Sequence, residues 1–386
     1  MSRAPRSNSG FSLVELMIAM TIGLLLLAGL VMIFVNSSEA NRELQKTSQQ
    51  IENGRYAIDV MSQDLRLAGF YGHLHELNNI PMPASIPPDP CVSALGTALT
   101  SSLRFPVQGY RGTIDTAIAT SDARANVAST SCAALSNANL RPGSDVLVIR
   151  RADTNPLGAV DITTTNAFYI QSTFAALEIQ QGGGAAIGTC PSTNEHCKAD
   201  GTTASTLKLA NGATPSPSAP IRRLRVHVYF VAPCSIPNGG GTVCTGAADD
   251  GGRPIPTLKR LELTSSGTIT VVPMVEGIEY LKIEYGVDTA PSSINVNTGY
   301  AGDGTVDSYT QAPADWSNVI AAKLYLLARN TEPTQGFTDT KTYLLGSAAS
   351  DNFAVPAATG AEARYKRHVY TAAVQLVNSA GRREIP

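Results

Sequence analysis

The sequence predicts an α+β protein in which one long N-terminal α-helix packs on a mainly antiparallel β-sheet. Three observations support this fold class: residues 16–35 carry no charge, no proline occurs between residues 11 and 71, and segments that alternate apolar and polar residues recur after residue 223. An uninterrupted apolar and then amphipathic pattern is typical of a helix, whereas alternation is typical of a strand with one buried face. The helix is therefore expected first and the sheet after it.

The apolar run is long enough to cross a membrane. At a rise of about 1.5 Å per residue, its roughly 20 residues span about 30 Å, which is the thickness of the hydrocarbon core of a bilayer. Arg3 and Arg6 lie before the run in a short basic leader, and Glu15 is the one acid between residues 11 and 35. Because a carboxylate costs about 2.5–3.5 kcal/mol at the centre of a membrane helix, an acid in this segment indicates a function.

The residues Gly10-Phe11-Ser12-Leu13-Val14-Glu15 resemble the signature of type IV pilins. In that family a prepilin peptidase cleaves after the glycine and methylates the new N-terminal residue. The resemblance therefore implies a type IV pilin-like fold, cleavage between Gly10 and Phe11, N-methylation of Phe11, and docking of Glu15 with the N-terminal amine of a neighbouring subunit. Two alternatives are an ordinary single-pass anchor and a secretory signal peptide cut near residues 38–40.

The helix is predicted to continue beyond the apolar run, because one apolar stripe recurs every seven residues. Its members are Leu44, Ile51, Ile58 and Leu65. They share one helix face, so we expect them to face the sheet. Gly69 and Gly72 mark the expected end of the helix. This divides the N-terminal part into a prepilin leader at 1–10, a transmembrane half of the helix at 11–35 and an amphipathic half at 36–70.

The rest of the chain is predicted to form a variable periplasmic region at 71–222, with short strands and loops, and a β-sheet region at 223–386. The predicted strands are 145–150, 168–172, 223–231, 258–264, 268–272, 278–287, 319–328 and 367–377. Segment 223–231 alternates Leu224, Val226, Val228 and Phe230 with Arg223, Arg225, His227 and Tyr229. This alternation predicts a half-buried strand whose second set of side chains is exposed.

An even number of cysteines follows the apolar run, which indicates disulfide bonds in an oxidising compartment such as the periplasm. The six cysteines are Cys91, Cys132, Cys190, Cys197, Cys234 and Cys244. Six cysteines allow 15 connectivities. We expect the sequential one, which joins Cys91 to Cys132, Cys190 to Cys197 and Cys234 to Cys244.

A second resemblance lies toward the C-terminus. The block 275–288, which begins Val-Glu-Gly and ends Tyr-Gly-Val-Asp, is similar to a block of PilW-type minor pilins, and residues 316–319 and 367–378 fit the same family in the same order. The resemblance implies a minor pilin that takes part in the initiation of type IV pilus assembly at or near the filament tip, and that supports twitching motility and adhesion. A minor pseudopilin of a type II secretion system and a membrane-anchored periplasmic enzyme are the alternatives.

The same resemblance implies the partners and the location of the protein. The expected partners are the prepilin peptidase, other minor pilins and the major pilin, the inner-membrane assembly platform and a tip adhesin. Before assembly the protein is expected to be a single-pass inner-membrane protein with a periplasmic domain, and after assembly to lie in the pilus on the cell surface.

Composition and motifs indicate neither nucleic-acid binding nor catalysis. Charged residues make up 16% of the chain and the net charge is -2, so no excess of positive charge favours nucleic acid. The histidines form no metal-binding motif, and no nucleophile motif lies in a strand-to-helix context, so we expect no enzyme. We also expect no cofactor, with calcium at Asp303 and Asp307 as the alternative to a plain turn.

Overall fold

The structure is a computed structural model that describes most of the chain. The described residues are 10, 12–84, 86–112, 132–135, 138–157, 167–174, 176–181, 207, 209, 218–264, 266–295, 298–355 and 360–384. The chain divides into two compact units, Met1–Gln49 and Gln50–Pro386.

One helix, α1, runs from Leu13 to Arg66 and contributes residues to both units. In the first unit its apolar side chains from Leu13 to Val35 are exposed. The helix is long and apolar enough to cross a membrane. It ends at Arg66, shortly before the predicted end at residue 70, and the chain then turns through Gly69 and Gly72, whose φ angles of 73° and 80° are best tolerated by glycine.

Two short helices and thirteen strands follow α1 among the described residues. The helices are α2 (Thr97–Ser102) and α3 (Val377–Gly381). The strands are β1 (Val107–Tyr110), β2 (Val146–Ala152), β3 (Phe168–Ser172), β4 (Leu177–Gln181), β5 (Arg222–Ala232), β6 (Thr257–Leu263), β7 (Ile269–Glu276), β8 (Ile278–Val287), β9 (Ser308–Thr310), β10 (Val319–Arg329), β11 (Thr342–Tyr343), β12 (Phe353–Ala354) and β13 (Arg367–Gln375).

The strands form two larger antiparallel sheets and a small hairpin. In the first sheet β1 pairs with β2 and β2 with β5, while the other edge of β5 pairs with β6 and, near its start, with β3. The second sheet has the order β13-β10-β8-β9, and β11 pairs with β12. The predicted fold class, a long apolar N-terminal helix followed by antiparallel sheets, is confirmed.

The main core of the second unit joins the end of α1 to both sheets. Ala57, Met61 and Leu65 of α1 lie in one apolar cluster with Leu147 of the first sheet and Leu324 of the second. The opposite face of the first sheet packs on a separate cluster with the loops that follow α1. Both faces of the first sheet are therefore covered.

This double coverage corrects the prediction that β5 has one exposed face. His227 is 6% exposed and Tyr229 is fully buried, while Val228 and Phe230 are buried on the other side. The polar face of the strand lies beneath α1, where the helix supplies hydrogen-bond partners. Alternation alone could not reveal a buried polar face.

The prediction that Leu44 and Ile51 face the sheet is wrong. Leu44 is 68% and Ile51 39% exposed, whereas Ile58 packs against the core and Leu65, at the end of the stripe, is fully buried. The buried helix positions are instead Gln50, Gly54, Ala57, Met61, Ser62, Asp64 and Leu65. Residues spaced exactly seven apart shift by about 20° per heptad around a straight helix. Over three heptads they therefore do not all stay on the face that packs on the sheet.

Gly54 lets the second sheet approach the helix backbone. A Cβ atom added at Gly54 would lie 2.2 Å from Cε2 of Tyr370 on β13. Beside it, the Gln50 amide donates to the carbonyl oxygens of Ala328 at 2.8 Å and Lys366 at 3.1 Å. Because Gly54 has no side chain, the Tyr370 ring packs directly against the helix backbone.

A buried carboxylate joins α1 to the first sheet. Asp64 Oδ1 accepts from Arg151 Nε at 2.6 Å, and Oδ2 lies 2.6 Å from His227 Nδ1 and accepts from the Tyr229 hydroxyl at 2.9 Å. Burial raises the pKa of Asp64, but the hydrogen bond and charge of His227 and the charge of Arg151 outweigh it, so the pKa lies well below its ordinary value. Asp64 is therefore a buried anion with three partners.

We predict that Gly54→Ala lowers the free energy of unfolding by about 1–3 kcal/mol, because the new methyl group overlaps the Tyr370 ring. In a Tyr370→Ala background the same change should be neutral or stabilising, because only the helix propensity gained from alanine remains. Denaturant unfolding of the full chain in detergent micelles measures both effects. Stabilisation by Gly54→Ala in the otherwise wild-type chain would contradict the close approach.

We predict that Asp64→Asn lowers the free energy of unfolding by about 3–5 kcal/mol at neutral pH, because Arg151 loses its buried partner. The folded pKa of Asp64 is depressed, so its contribution is complete above the unfolded pKa of about 3.9 and is lost as the pH falls below it. The difference between wild type and variant should therefore shrink as the pH falls below about pH 4.

The matched control for this experiment is Asp59→Asn. Asp59 is an exposed acid on the same helix, and it accepts a hydrogen bond from Gln63 at 2.8 Å. Its substitution should change stability by less than about 0.5 kcal/mol. Equal effects at both positions would show that Asp64 has no special role.

Candidate functional site

The N-terminal residues that the sequence singles out lie at the start of α1. Gly10, Ser12 and Glu15 are exposed, and Phe11 lies outside the described residues. The Ser12 backbone N–H donates to Glu15 Oε2 at 3.1 Å. Glu15 is the third residue of α1, so its carboxylate caps a helix N-terminus that carries a partial positive charge.

This cap is a role that reasoning from the apolar run alone missed. The signal was present, because Ser12 followed by Glu15 three residues later is the pattern of a capping box. In the single chain the Glu15 carboxylate thus stabilises its own helix. The proposed docking of Glu15 with a neighbouring N-terminal amine stays a prediction.

Two disulfide bonds tie loops of the second unit. Cys91 is bonded to Cys132 and Cys234 to Cys244, in the sequential pairing expected from the sequence, with Cα–Cα distances of 5.2 and 5.8 Å. The expected pair of Cys190 and Cys197 lies outside the described residues.

The loop that contains the second disulfide is organised by Asp249. Its carboxylate accepts from the backbone N–H groups of Asn238, Thr245 and Gly246 and from the Thr245 hydroxyl. Burial raises the pKa of Asp249, but these hydrogen bonds outweigh it and hold the pKa at about 2.

Two groups of potential metal-ligand atoms come together in the described part of the chain. They are Asp89 with Cys91 and Cys132, and Cys234 with Cys244 and Asp249. In each group the two cysteines are bonded to each other, so their sulfur atoms are not thiolate ligands.

The two calcium candidates hold turns. Asp303 accepts from the backbone N–H and the hydroxyl of Thr305, and Asp307 accepts from the backbone N–H groups of Thr289 at 2.6 Å and Ala290 at 2.8 Å. These hydrogen bonds lower the pKa of both carboxyl groups. Each acid therefore has the contacts of a plain turn, and calcium binding stays an untested alternative.

The guanidinium group of Arg383 lies among several backbone and side-chain oxygens near Asp288. Arg383 donates to the carbonyl oxygens of Asp288, Ala301 and Ser317 and to Asn318 Oδ1, at 2.8 to 2.9 Å. Its Nη1 is also 3.6 Å from the buried Asp288 carboxylate, which accepts from the Gly304 N–H. A fixed cation of the protein thus offsets the charge of Asp288, and no sequence pattern near residue 383 predicts it.

We predict that Arg383→Met lowers the free energy of unfolding by about 3–5 kcal/mol, because Asp288 then lacks its cation. Calcium should leave the Tm of the wild type unchanged, because the carboxylates of Asp303 and Asp307 already accept hydrogen bonds within their turns. Thermal unfolding with calcium and with a chelator measures both, and Arg253→Met, at an exposed arginine, is the control. A calcium-dependent rise in the wild-type Tm would contradict the plain turn and support the calcium alternative at Asp303 and Asp307.

Comparison with known proteins gives two family matches. Residues 243–378 match PilW, described as type IV pilus-assembly protein W, and residues 5–31 match the prokaryotic N-terminal methylation motif. No curated protein and no solved structure matches the chain. The first match includes every strand of the second sheet, and the second includes Gly10 and Glu15. The two matches confirm the two resemblances recognised in the residues, to PilW-type minor pilins and to the N-terminal methylation motif of type IV pilins.

Proposed function

We propose that this protein takes part in the initiation of type IV pilus assembly, at or near the filament tip, and thereby supports twitching motility and adhesion. The observation that supports this proposal is the division of α1. From Leu13 to Val35 the helix exposes apolar side chains, whereas from Gln50 onward one face of it is built into the core of the second unit. We propose a structural rather than an enzymatic role for this arrangement.

The exposed apolar part of α1 suits two environments in succession. Before assembly it would lie in the inner membrane, with the second unit in the periplasm, because the run is long enough to span the hydrocarbon core. In the filament on the cell surface, the same side chains would pack against the helices of other pilins. The apolar surface is thus retained while its surroundings change.

Glu15 would supply specificity in this packing. In the single chain its carboxylate accepts one neutral N–H, that of Ser12. Cleavage after Gly10 would create a charged amine at Phe11, and an amine of a neighbouring subunit attracts a carboxylate more strongly in a low-dielectric helix bundle than in water. The Glu15 carboxylate would then give up its hydrogen bond to the Ser12 N–H and form an ion pair, in which each buried charge neutralises the other.

The proposed partners follow from these steps. The prepilin peptidase would cleave the leader, the inner-membrane assembly platform would hold the subunit, and other minor pilins and the major pilin would pack on the apolar helix. A tip adhesin would bind the exposed end of the assembly. Loss of twitching in a deletion strain supports the pilus, whereas loss of exoprotein release would indicate a type II secretion system.

We predict that Glu15→Gln, Glu15→Ala and Glu15→Lys separate capping from docking. Glutamine can still accept the Ser12 N–H, because it serves in capping boxes, but it carries no charge. If docking requires the charge, Glu15→Gln should lower surface piliation nearly as far as Glu15→Ala, and Glu15→Lys should lower it further. The measurement is surface pili, twitching and protein level in the deletion background.

The control for processing is Gly10→Val, which should leave the full-length precursor. N-terminal mass spectrometry of the wild type should show N-methylated Phe11. Normal piliation by Glu15→Lys at normal protein level would exclude a role of Glu15 in docking.

A further inference from the structure

A lysine of the second sheet is enclosed between two acids from other segments of the chain. Lys282 lies on β8, and its Nζ atom is 2.8 Å from Oδ1 of Asp145, which directly precedes β2. The same Nζ atom is 3.1 Å from Oδ1 of Asp351, which lies between β11 and β12. Lys282 and Asp351 are each 1% exposed and Asp145 is 4% exposed. The amine and both carboxyl groups are therefore shielded from bulk water.

The carboxyl group of Asp145 is held in one orientation by backbone groups. Its Oδ1 accepts from the Gly112 N–H at 2.8 Å as well as from Lys282 Nζ, and its Oδ2 accepts from the Ile283 N–H at 2.9 Å. The amine in turn donates to the Gly112 carbonyl oxygen. Burial raises the pKa of Asp145, although the charge of Lys282 and these hydrogen bonds oppose it, and so favours the neutral carboxyl form. The amine and the carboxyl carbon are thus fixed side by side.

The second acid, Asp351, is placed to carry a proton for the amine. Its Oδ2 accepts from Gln311 Nε2, whereas its Oδ1, which lies beside Lys282 Nζ, accepts no hydrogen bond of good geometry. Arg111 Nη2 is 3.6 Å from the same Oδ1 atom and offsets the charge of the acid. A lone pair of Oδ1 therefore remains available for a proton of the lysine.

The surroundings favour a covalent bond over the ion pair of Lys282 and Asp145. A buried ion pair adds little net stability, because the desolvation of two charges offsets their attraction. Condensation to an amide removes both charges. Groups that are held in a reactive orientation within one molecule reach effective molarities of about 10⁵–10⁸ M, which favours the joined form. Exclusion of water also limits hydrolysis of the product.

We propose that Lys282 and Asp145 form an intramolecular isopeptide bond, which joins β8 of the second sheet to the residue before β2 of the first sheet. The Nζ atom attacks Cγ of Asp145, the new C–N bond forms, and Oδ1 leaves as water. One of the three ammonium protons stays on the amide nitrogen and two leave in the water, passed on by Asp351, which returns to its initial state. Oδ2 becomes the amide oxygen, and the Ile283 N–H stabilises the negative charge that develops on it.

The bond would act on the stability of the second unit. It closes the chain between residues 145 and 282 into a loop, so it restricts the unfolded chain in the same way as a disulfide bond between distant residues. Unlike a disulfide bond, it is not opened by reductants. The inference concerns the folded chain alone and does not rest on the proposed function.

The test is mass spectrometry of the purified full chain after its disulfide bonds have been reduced. The mass should be lower than that calculated from the sequence of the same chain by one water molecule. Trypsin should not cleave after Lys282, and it should release a branched peptide that joins the segments of Lys282 and Asp145. The internal control is Lys46, whose Nζ lies 3.1 Å from Oε1 of Glu43 in a partly exposed pair. No branched peptide should contain Lys46, because that pair is open to water.

The variant Asp351→Asn tests the proton carrier. Asparagine has nearly the same shape, but it does not carry a proton between the groups, and a positioned acid or base contributes about 10²–10⁴-fold to such a step. The cross-linked fraction should therefore fall at least tenfold, while the circular dichroism spectrum stays that of the wild type. Asp59→Asn, at an exposed acid of α1, is the matched control and should leave the cross-linked fraction unchanged.

Three outcomes would contradict the proposal. A wild-type chain of full calculated mass with an unmodified Lys282 would overturn it, whether or not the variant folds. A branched peptide joined through Asp351 would overturn the choice of Asp145 as the carboxyl partner. Equal cross-linking in the wild type and in Asp351→Asn would exclude Asp351 as the proton carrier. None of these measurements involves piliation, so the proposed function is tested separately.

Discussion

The buried carboxylate of Asp64 is the interaction on which the packing of the helix end depends. It joins α1 to Arg151 on β2 and to His227 and Tyr229 on β5. A buried charge is tolerated only when its partners are in place. The end of α1 must therefore be rotated so that Asp64 meets Arg151, His227 and Tyr229. The same rotation directs Gly54 toward Tyr370 of the second sheet.

Paired charges also specify the second sheet, which lies within the region similar to PilW. Glu279 on β8 is fully buried and contacts Arg367 on β13 and Arg141 before β2, at 2.6 and 2.8 Å. Such pairs add little net stability, because desolvation offsets attraction, but a wrong register would leave a charge unpaired. These pairs therefore select one arrangement of the strands, although they add little to its stability.

The two parts of α1 differ in the groups that they bury and expose. The part in the second unit buries Gln50 and Asp64, whose side chains are held by fixed partners, whereas the segment from Leu13 to Val35 exposes apolar surface with one acid, Glu15, whose described partner is a backbone N–H. A hydrogen bond to a neutral donor is weaker than one to an ammonium group. The proposed docking would therefore give Glu15 a stronger partner than the Ser12 N–H.

The sequence by itself determined the helix, its approximate end, most of the strands and the N-terminal motif, because each depends on a local pattern. An uncharged run predicts the helix, glycines predict its end, alternation predicts the strands, and the motif consists of residues adjacent in the chain. Only the tertiary structure decided which helix face is buried, that the polar face of β5 is covered, and that Arg383 occupies the loop of Asp288. These features join residues far apart in the chain, and their physical cause, the pairing of buried polar groups, leaves no periodic pattern in the sequence.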